Sequence, residues 1–473
     1  MDAGASFFGD LLGSIAERGR ALLDLGRERR PAGAVRAAGL KDLCDRLLSG
    51  QGEASGVALA REILLAYAGL KTGERVAFFE ILAGAFGPDR ARLEAAVAAY
   101  SAAATDGVPS PALTWELHAA SEPRRQELIR RLNLAPGATA RLVAMRSDLL
   151  DAMARRRDLA EVDRDFIHLF SSWFNRGFLV LRRIDWSTPA NVLEKIIRYE
   201  AVHEIRDWDD LRARVDSPDR RCYAFFHPAL VDEPLIFVEV ALTRDIPGAI
   251  GPILAEKRTP LDPKAARTAV FYSISNCQRG LGGVSFGNFL IKQVVEEISR
   301  EFPGLTHYVT LSPVPTFRGW LDEERASTGS ALLTADDRAV LDTLAASETP
   351  DAALIARATP VIEALAAHYF LVARSPKGKP LDPVARFHLG NGARLERINP
   401  FGDLSVRGLA QAHGLMVNYL YRLDEIEANH EAFFDKGEIV ASPQVRRLLR
   451  VEGSVAPAAK APAKAATPKA LAG

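Results

Sequence analysis

The spacing of apolar residues changes period part-way along this chain, and that change limits its possible folds more than any other feature. Up to about residue 185 the apolar positions recur at three- and four-residue intervals, as in GVALAREILLAYAGL, RVAFFEILAGAFG and ARLEAAVAAYSAAA. That spacing lines one face of a helix. SPALTWELHAA adds a start signal, with Ser110 as N-cap and Pro111 at the first helical position, and STPANVLEKIIRYEA repeats it with Thr188 and Pro189. No convincing strand precedes about residue 220. Beyond it, RCYAFFH and PLIFVEVAL are short runs rich in aromatic and β-branched residues, separated by PALVDE as in a hairpin. TAVFYSIS, HYVTLS and GLMVNYLYRL read as further strands, and a long helical region covers about 333–373. The expectation is an antiparallel helical bundle over 1–185, suited to scaffolding or oligomerisation, followed by an α/β domain around one mostly antiparallel sheet over 186–452.

Composition narrows the function classes. With 473 residues, two or three domains with real cores fit in the chain. Lys plus Arg and Asp plus Glu are equal at 60 each, so the formal charge is zero and nothing draws the whole molecule to nucleic acid or an anionic membrane. No run of ~18 apolar residues occurs, so no membrane-spanning helix is expected. Cys44, Cys222 and Cys277 are widely spaced with no CxxC pair, which speaks against a disulfide framework or structural zinc and for a reducing compartment. Nine histidines include no HExxH spacing, so no metal site is expected. The N-terminal MDAGASFFGDLLGSIAERGRALLDL carries Asp2, Asp10, Glu17 and Asp24 and reads as a first bundle helix rather than a targeting signal. The Ala/Pro/Lys-rich stretch 453–473 has no large apolar groups to offset ordering entropy and reads as a disordered tail.

Three segments could carry chemistry. NCQRGLGGVSFG places Gly280, Gly282, Gly283 and Gly287 between a strand and a helix of roughly 287–302. Glycines permit positive φ and bare N–H groups, and a helix start adds a positive dipole end, which suits a pyrophosphate. A plain tight turn explains the same residues, and the spacing is neither GxGxxG nor a Walker loop. TLSPVPTFRGW sets Ser312 at a strand end before Pro313 and Pro315, where a turn serine satisfying local backbone is the commoner reading. FHLGNGARLERINPFGDLS sets His388 just before the turn dipeptide Asn391-Gly392, and a packed, hydrogen-bonded histidine is the commoner reading there.

Taken together and in order, WFNRGFLVLRRIDWSTPA, RRCYAFFH, EPLIFVEVALT, FYSIS, GLGGVSFGNFLIK, LSPVPTF, FHLGNGARLERINPFGD and MVNYLYRLDEIEANHEAF resemble the malonyl-CoA decarboxylase family over about residues 165–440. The resemblance implies a helical oligomerisation domain joined to a catalytic domain of the Gcn5-related N-acetyltransferase fold. It implies malonyl-CoA as substrate, a homo-oligomer, and coenzyme A held on Gly280, Gly282, Gly283, Val284, Ser285, Phe286, Gly287 and Asn288. It also implies Ser312 and His388 as the catalytic pair, with Asn418, Tyr421 and Ser273 further substrate-binding candidates. His388 is expected to protonate carbon 2 and Ser312 to hydrogen-bond the malonyl carboxylate and the histidine. No cofactor is expected, because the thioester itself delocalises the carbanion. Two residues depart from the family. Ser285 stands where many members have an acid, and Thr316 stands where glycine is common, a change that reads as neutral. An N-acyltransferase or a non-catalytic acyl-CoA sensor would share the coenzyme A loop. The chain ends Ala-Leu-Ala-Gly and carries no recognisable organelle signal, so a cytoplasmic enzyme is expected.

Overall fold

The computed structural model describes residues 37–50, 52–284, 290–327, 330 and 332–450. The helix expected near the N-terminus, the tail expected at 453–473, and Ser285, Phe286, Gly287 and Asn288 lie outside the described residues. The described residues fall into two compact units, one drawn from Met1–Asp245 with Glu256–Thr306, the other from Ile246–Ala255 with His307–Gly473.

The first unit begins with helices from Ala37–Leu48 to Ala160–Trp173. Their three- and four-residue apolar stripes make one core, with Leu59, Ile63, Phe78, Phe79, Ile129, Leu142, Leu149, Phe166 and Phe170 all at 1% exposure or less. Each such side chain contributes roughly 1.5–3 kcal/mol of burial. The start signals work as expected at Ser110, whose hydroxyl accepts the Leu113 N–H with Pro111 at the first turn. At the second start the helix runs Ala190–Tyr199 with Pro189 in the cap position, and the Thr188 hydroxyl instead accepts the Asp185 N–H.

A strand appears earlier than the sequence pattern suggests. β1 (Val180–Ile184) pairs antiparallel with β2 (Arg220–Phe226), which pairs with β3 (Pro234–Thr243), and that with β4 (Thr268–Asn276). β1 is five residues long, mostly exposed, and carries Arg182 and Arg183, so only its register opposite Cys222–Phe226 defines it. β2 and β3 are buried almost throughout, hence their continuous apolar runs. The charged residues among them are Arg220 and Arg221 on β2 and Glu239 on β3. Glu239 on β3 is fully buried against Arg214 at 3.2 Å, and Arg214 also caps the carbonyls of His203 and Glu204 at 2.8 Å each. Burial, with the nearby Glu200 charge adding, pushes the Glu239 carboxyl up to about 8 against the pull of Arg214.

The glycine turn after β4 is locked to the helix Ala138–Met153. Arg146, at 1% exposure, donates to Asp163 Oδ1 and to the carbonyl of Gly280, both at 2.8 Å. A Cβ on Gly280 would meet the Val143 carbonyl oxygen at 1.9 Å, so only glycine allows this approach.

The second unit is organised around β8 (Met416–Leu420). β5 (His307–Thr310) and β6 (Ser312–Pro313) pair with one side of it in a single continuous register, Val309 opposite Leu420 and Ser312 opposite Val417. β7 (Arg394–Asn399) pairs with β8 too, with a register shift between Leu395 and Arg397. The helix Ala352–Leu371 has the length and composition to cross a membrane, but half of its residues in that window are buried, including Leu365, Tyr369 and Phe370 in the core of this unit. The overall plan, helices first and then strands mixed with helices, is the expected one.

Arg146→Met should cost about 3–5 kcal/mol, because it strands the Asp163 carboxylate without its partner. Urea unfolding followed by circular dichroism measures this, and a loss below about 1 kcal/mol would show that the pair is not buried in solution.

Candidate active site

Ser312, His388 and Tyr421 come together within the second unit, from segments far apart in sequence. Alternation along β8 sets the face. Val417, Tyr419 and Tyr421 share one parity, and register places Thr310 and Ser312 on the same side. His388 arrives on the helix Pro383–Gly390, which Asp382 starts by accepting the Ala385 N–H at 2.8 Å. Two residues beyond His388 the helix ends, and Asn391-Gly392 follows, where Gly392 has φ +80° and a Cβ would lie 2.1 Å from the Ile426 carbonyl oxygen.

The imidazole is held on four sides. Its Nε2 lies 3.2 Å from Ser312 Oγ and its Nδ1 2.8 Å from the Tyr421 hydroxyl. The Tyr419 ring stacks on it at 4.7 Å and 25°, and Phe387 stands edge-on at 5.1 Å. His388 is 3% exposed, and burial pulls it from 6.5 down to about 3, so the ring is neutral and carries one N–H. Ser312 donates to Thr310 Oγ1 at 2.8 Å. With that proton so directed, the ring proton falls to Nε2, donated to Ser312, and Tyr421 donates to Nδ1. The result is a line of hydroxyls and imidazole, Tyr421 to His388 to Ser312 to Thr310, each proton pointing the same way.

The other expected site residues are placed differently. Asn418 has the opposite parity to Tyr419 and Tyr421, and its amide nitrogen already donates to the carbonyls of Thr310 and Pro247 at 2.8 and 3.1 Å while Asn399 donates to its oxygen. It is a structural bracket on the far face of β8. Ser273, in the first unit, donates to both oxygens of Glu200 at 2.8 Å. In the glycine turn, Gly280 serves the contact with Val143, and the N–H groups of Gly282 and Val284 are spent on Arg279 O and Leu281 O. Gly283, with φ +76° and open space around it, keeps the backbone freedom that an anion site requires. Among the described residues no group of three or more His, Cys, Asp or Glu side chains could hold a metal ion.

Sequence reasoning overlooked Tyr419 and Thr310. Both were accessible through strand alternation, two residues from Tyr421 and Ser312. Nothing in the sequence pointed to Arg146.

Because His388 is neutral when folded and ordinary when unfolded, the unfolded state binds the extra proton between about pH 6.5 and about pH 3, and stability falls as pH drops through that window. Glu239 slopes the other way, since its raised carboxyl favours the folded state as pH falls from about 8 toward 4.5. The measurable quantity is therefore the difference between wild type and His388→Gln. The advantage of wild type should shrink by up to ~1.4 kcal/mol for each pH unit below about 6.5 in urea titrations. A pH-independent difference would mean that the imidazole is not held neutral.

Known proteins carry the same arrangement of sequence. Residues 86–174 match the malonyl-CoA decarboxylase N-terminal domain and residues 177–459 the malonyl-CoA decarboxylase C-terminal domain. A crystal structure of malonyl-CoA decarboxylase from Rhodopseudomonas palustris is 59% identical, with a TM-score of 0.84 over 88% of this chain and 100% of that one. One from Agrobacterium vitis is 54% identical, with a TM-score of 0.83 over 87% of this chain and 100% of that one. The mitochondrial malonyl-CoA decarboxylase of Anser anser anser is 35% identical over 418 residues, 81% of this chain and 82% of that protein. The chain belongs to the malonyl-CoA decarboxylase family.

Proposed function

We infer that the chain converts malonyl-CoA to acetyl-CoA and CO2, and that the proton needed at carbon 2 travels along the Ser312–His388–Tyr421 line. The observation that carries the mechanism is the double hydrogen bonding of a buried, neutral imidazole. When the C–C bond to the carboxylate breaks, its electron pair passes into the thioester carbonyl and gives an enolate. Carbon 2 then takes the Ser312 proton, Ser312 takes the Nε2 proton of His388, and Nδ1 takes that of Tyr421, so the ring ends protonated on Nδ1; one proton taken up from solvent as product leaves restores Tyr421, and the ring returns to its Nε2 tautomer before the next turnover. A neutral imidazole cannot act as a stored acid, but it passes a proton readily when both nitrogens have partners. Asn418 is left out of enolate stabilisation because both of its amide protons are engaged. The reaction asks for no organic cofactor, since the substrate's own carbonyl holds the charge.

Coenzyme A pyrophosphate is assigned to the glycine turn, supported by the positive φ and open surroundings of Gly283. A homo-oligomer through the helices is supported by the hairpin Arg90–Asp106 and Pro111–Ser121, which leaves Val97 46% and Trp115 70% exposed. The buried free thiols Cys44, Cys222 and Cys277 accord with a reducing compartment such as the cytoplasm.

Incubation with malonyl-CoA alone should release acetyl-CoA and CO2 with no amine acceptor present. His388→Asn should lower kcat by ~10²–10⁴ while acetyl-CoA affinity stays within about twofold. Affinity lost in step with activity would remove His388 from the chemistry, and transfer only in the presence of an amine would make the chain an acyltransferase. Separately, Trp115→Glu should reduce the mass measured by light scattering, and an unchanged mass would take this hairpin out of the interface.

A further inference from the structure

Four residues after Ser312, the hydroxyl of Thr316 makes a second connection to the helix that carries His388. Thr316 Oγ1 donates to Asp382 Oδ2 at 3.1 Å and lies 2.7 Å from the Tyr369 hydroxyl. Asp382 is the N-cap of the His388 helix, and its other oxygen accepts the Ala385 N–H. Tyr369 stands near the end of the helix Ala352–Leu371, and Thr316 precedes the helix Phe317–Ala326. One hydroxyl thus joins three helices at the point where Ser312 and His388 must be kept in reach of each other.

The chemistry of Asp382 makes that hydroxyl consequential. Its carboxyl group is 1% exposed, and among the described residues burial and hydrogen bonds, not a cationic partner, govern it. Burial raises it above the usual carboxylate range, while the hydrogen bonds from Ala385 and Thr316 oppose that rise. Thr316 is the side chain that donates to it. Because Thr316 gives its proton to Asp382, Tyr369 is the donor to Thr316, so both hydroxyl protons are used and no reorientation is free. Between Ser312 and Thr316 the chain reads Pro313-Val314-Pro315, two residues with φ fixed, which makes the segment a stiff spacer. The Ser312–His388 contact at one end and the Thr316–Asp382 contact at the other therefore fix both the distance and the angle of the His388 helix relative to the serine.

We propose that Thr316 and Asp382 are positioning residues for the Ser312–His388 pair, so that the threonine at this position, expected to be neutral, sets catalytic geometry in this chain. The proposal rests on the reading that Ser312 and His388 do the chemistry. Thr316→Val keeps shape and removes the donor; Thr316→Ser keeps the donor. For Thr316→Val, kcat for malonyl-CoA should fall by about tenfold to a hundredfold with KM within about twofold, the cost of misplacing reacting groups by a fraction of an ångström to about 1 Å. Thr316→Ser should stay within about threefold of wild type, since its hydroxyl can reach the same acceptor. Nitrogen-15 spectra of the histidine side chains, with His388 assigned from His388→Asn, should show one Nε2-protonated tautomer in wild type and Thr316→Ser and an averaged pattern in Thr316→Val. Asp382→Asn, which keeps an oxygen for the Ala385 N–H, should shift the His388 signals in the same sense and serves if Thr316→Val does not fold. A Thr316→Val protein that melts earlier yet keeps wild-type kcat and His388 signals would overturn the proposal, as would Thr316→Ser impaired as badly as Thr316→Val. Wild type that releases no CO2 from malonyl-CoA would instead defeat the proposed function, and the spectra would still report on the strut.

Discussion

The hydrogen bond between Ser312 Oγ and His388 Nε2 spans 76 residues of sequence, and most of the second unit is arranged to keep it. β8 supplies Tyr419 as a stacking floor and leads directly to Tyr421 as the partner for the other ring nitrogen. The helix Pro383–Gly390 begins on a buried carboxylate and is followed by a turn glycine that no other residue could replace without a clash, so His388 has little freedom along or around its axis. Water is excluded from the ring, and that exclusion sets its protonation. A solvated histidine would be partly cationic near neutrality, whereas this one is neutral and therefore fit to pass a proton rather than store one.

The first unit shows the same economy with buried charge. Arg146 and Arg214 are both buried; Arg146 joins the Asp163 carboxylate to one backbone carbonyl, and Arg214 joins the Glu239 and Asp210 carboxylates to two. Such groups are weak sources of net stability, but removing one partner is expensive, so they specify where a loop or helix must sit. Arg146 does this for the glycine turn. The bundle helix Ala138–Met153 is therefore a fixture of the turn proposed to hold coenzyme A as well as a candidate scaffold.

Much of the fold was legible because periodicity reports burial directly. The helices before Trp173, the strands Arg220–Phe226, Pro234–Thr243 and Thr268–Asn276, and the late strand Met416–Leu420 all follow from spacing and residue type. β1 did not, since a five-residue exposed strand has no apolar alternation of its own and is defined by its partner. At the site, the family resemblance named Ser312, His388 and Tyr421, which the structure brings together, and also Asn418, which strand parity puts on the other face of β8. The glycines of the turn looked alike in sequence, yet Gly280 answers to a helix backbone and Gly283 to a positive φ.

By itself the sequence determined the order of helices and strands apart from β1, the helix cap at Ser110, and the turn that follows His388, because each depends on neighbours within a few residues. Only the tertiary structure decided which polar atoms meet. The protonation of His388, the partner of Thr316 and the carbonyl that Arg146 caps are set by burial and by distances of about 3 Å between segments remote in the chain. Local propensity carries no information about such pairs. They are fixed by the requirement that a polar group removed from water find its hydrogen-bond partner wherever the packed core brings one.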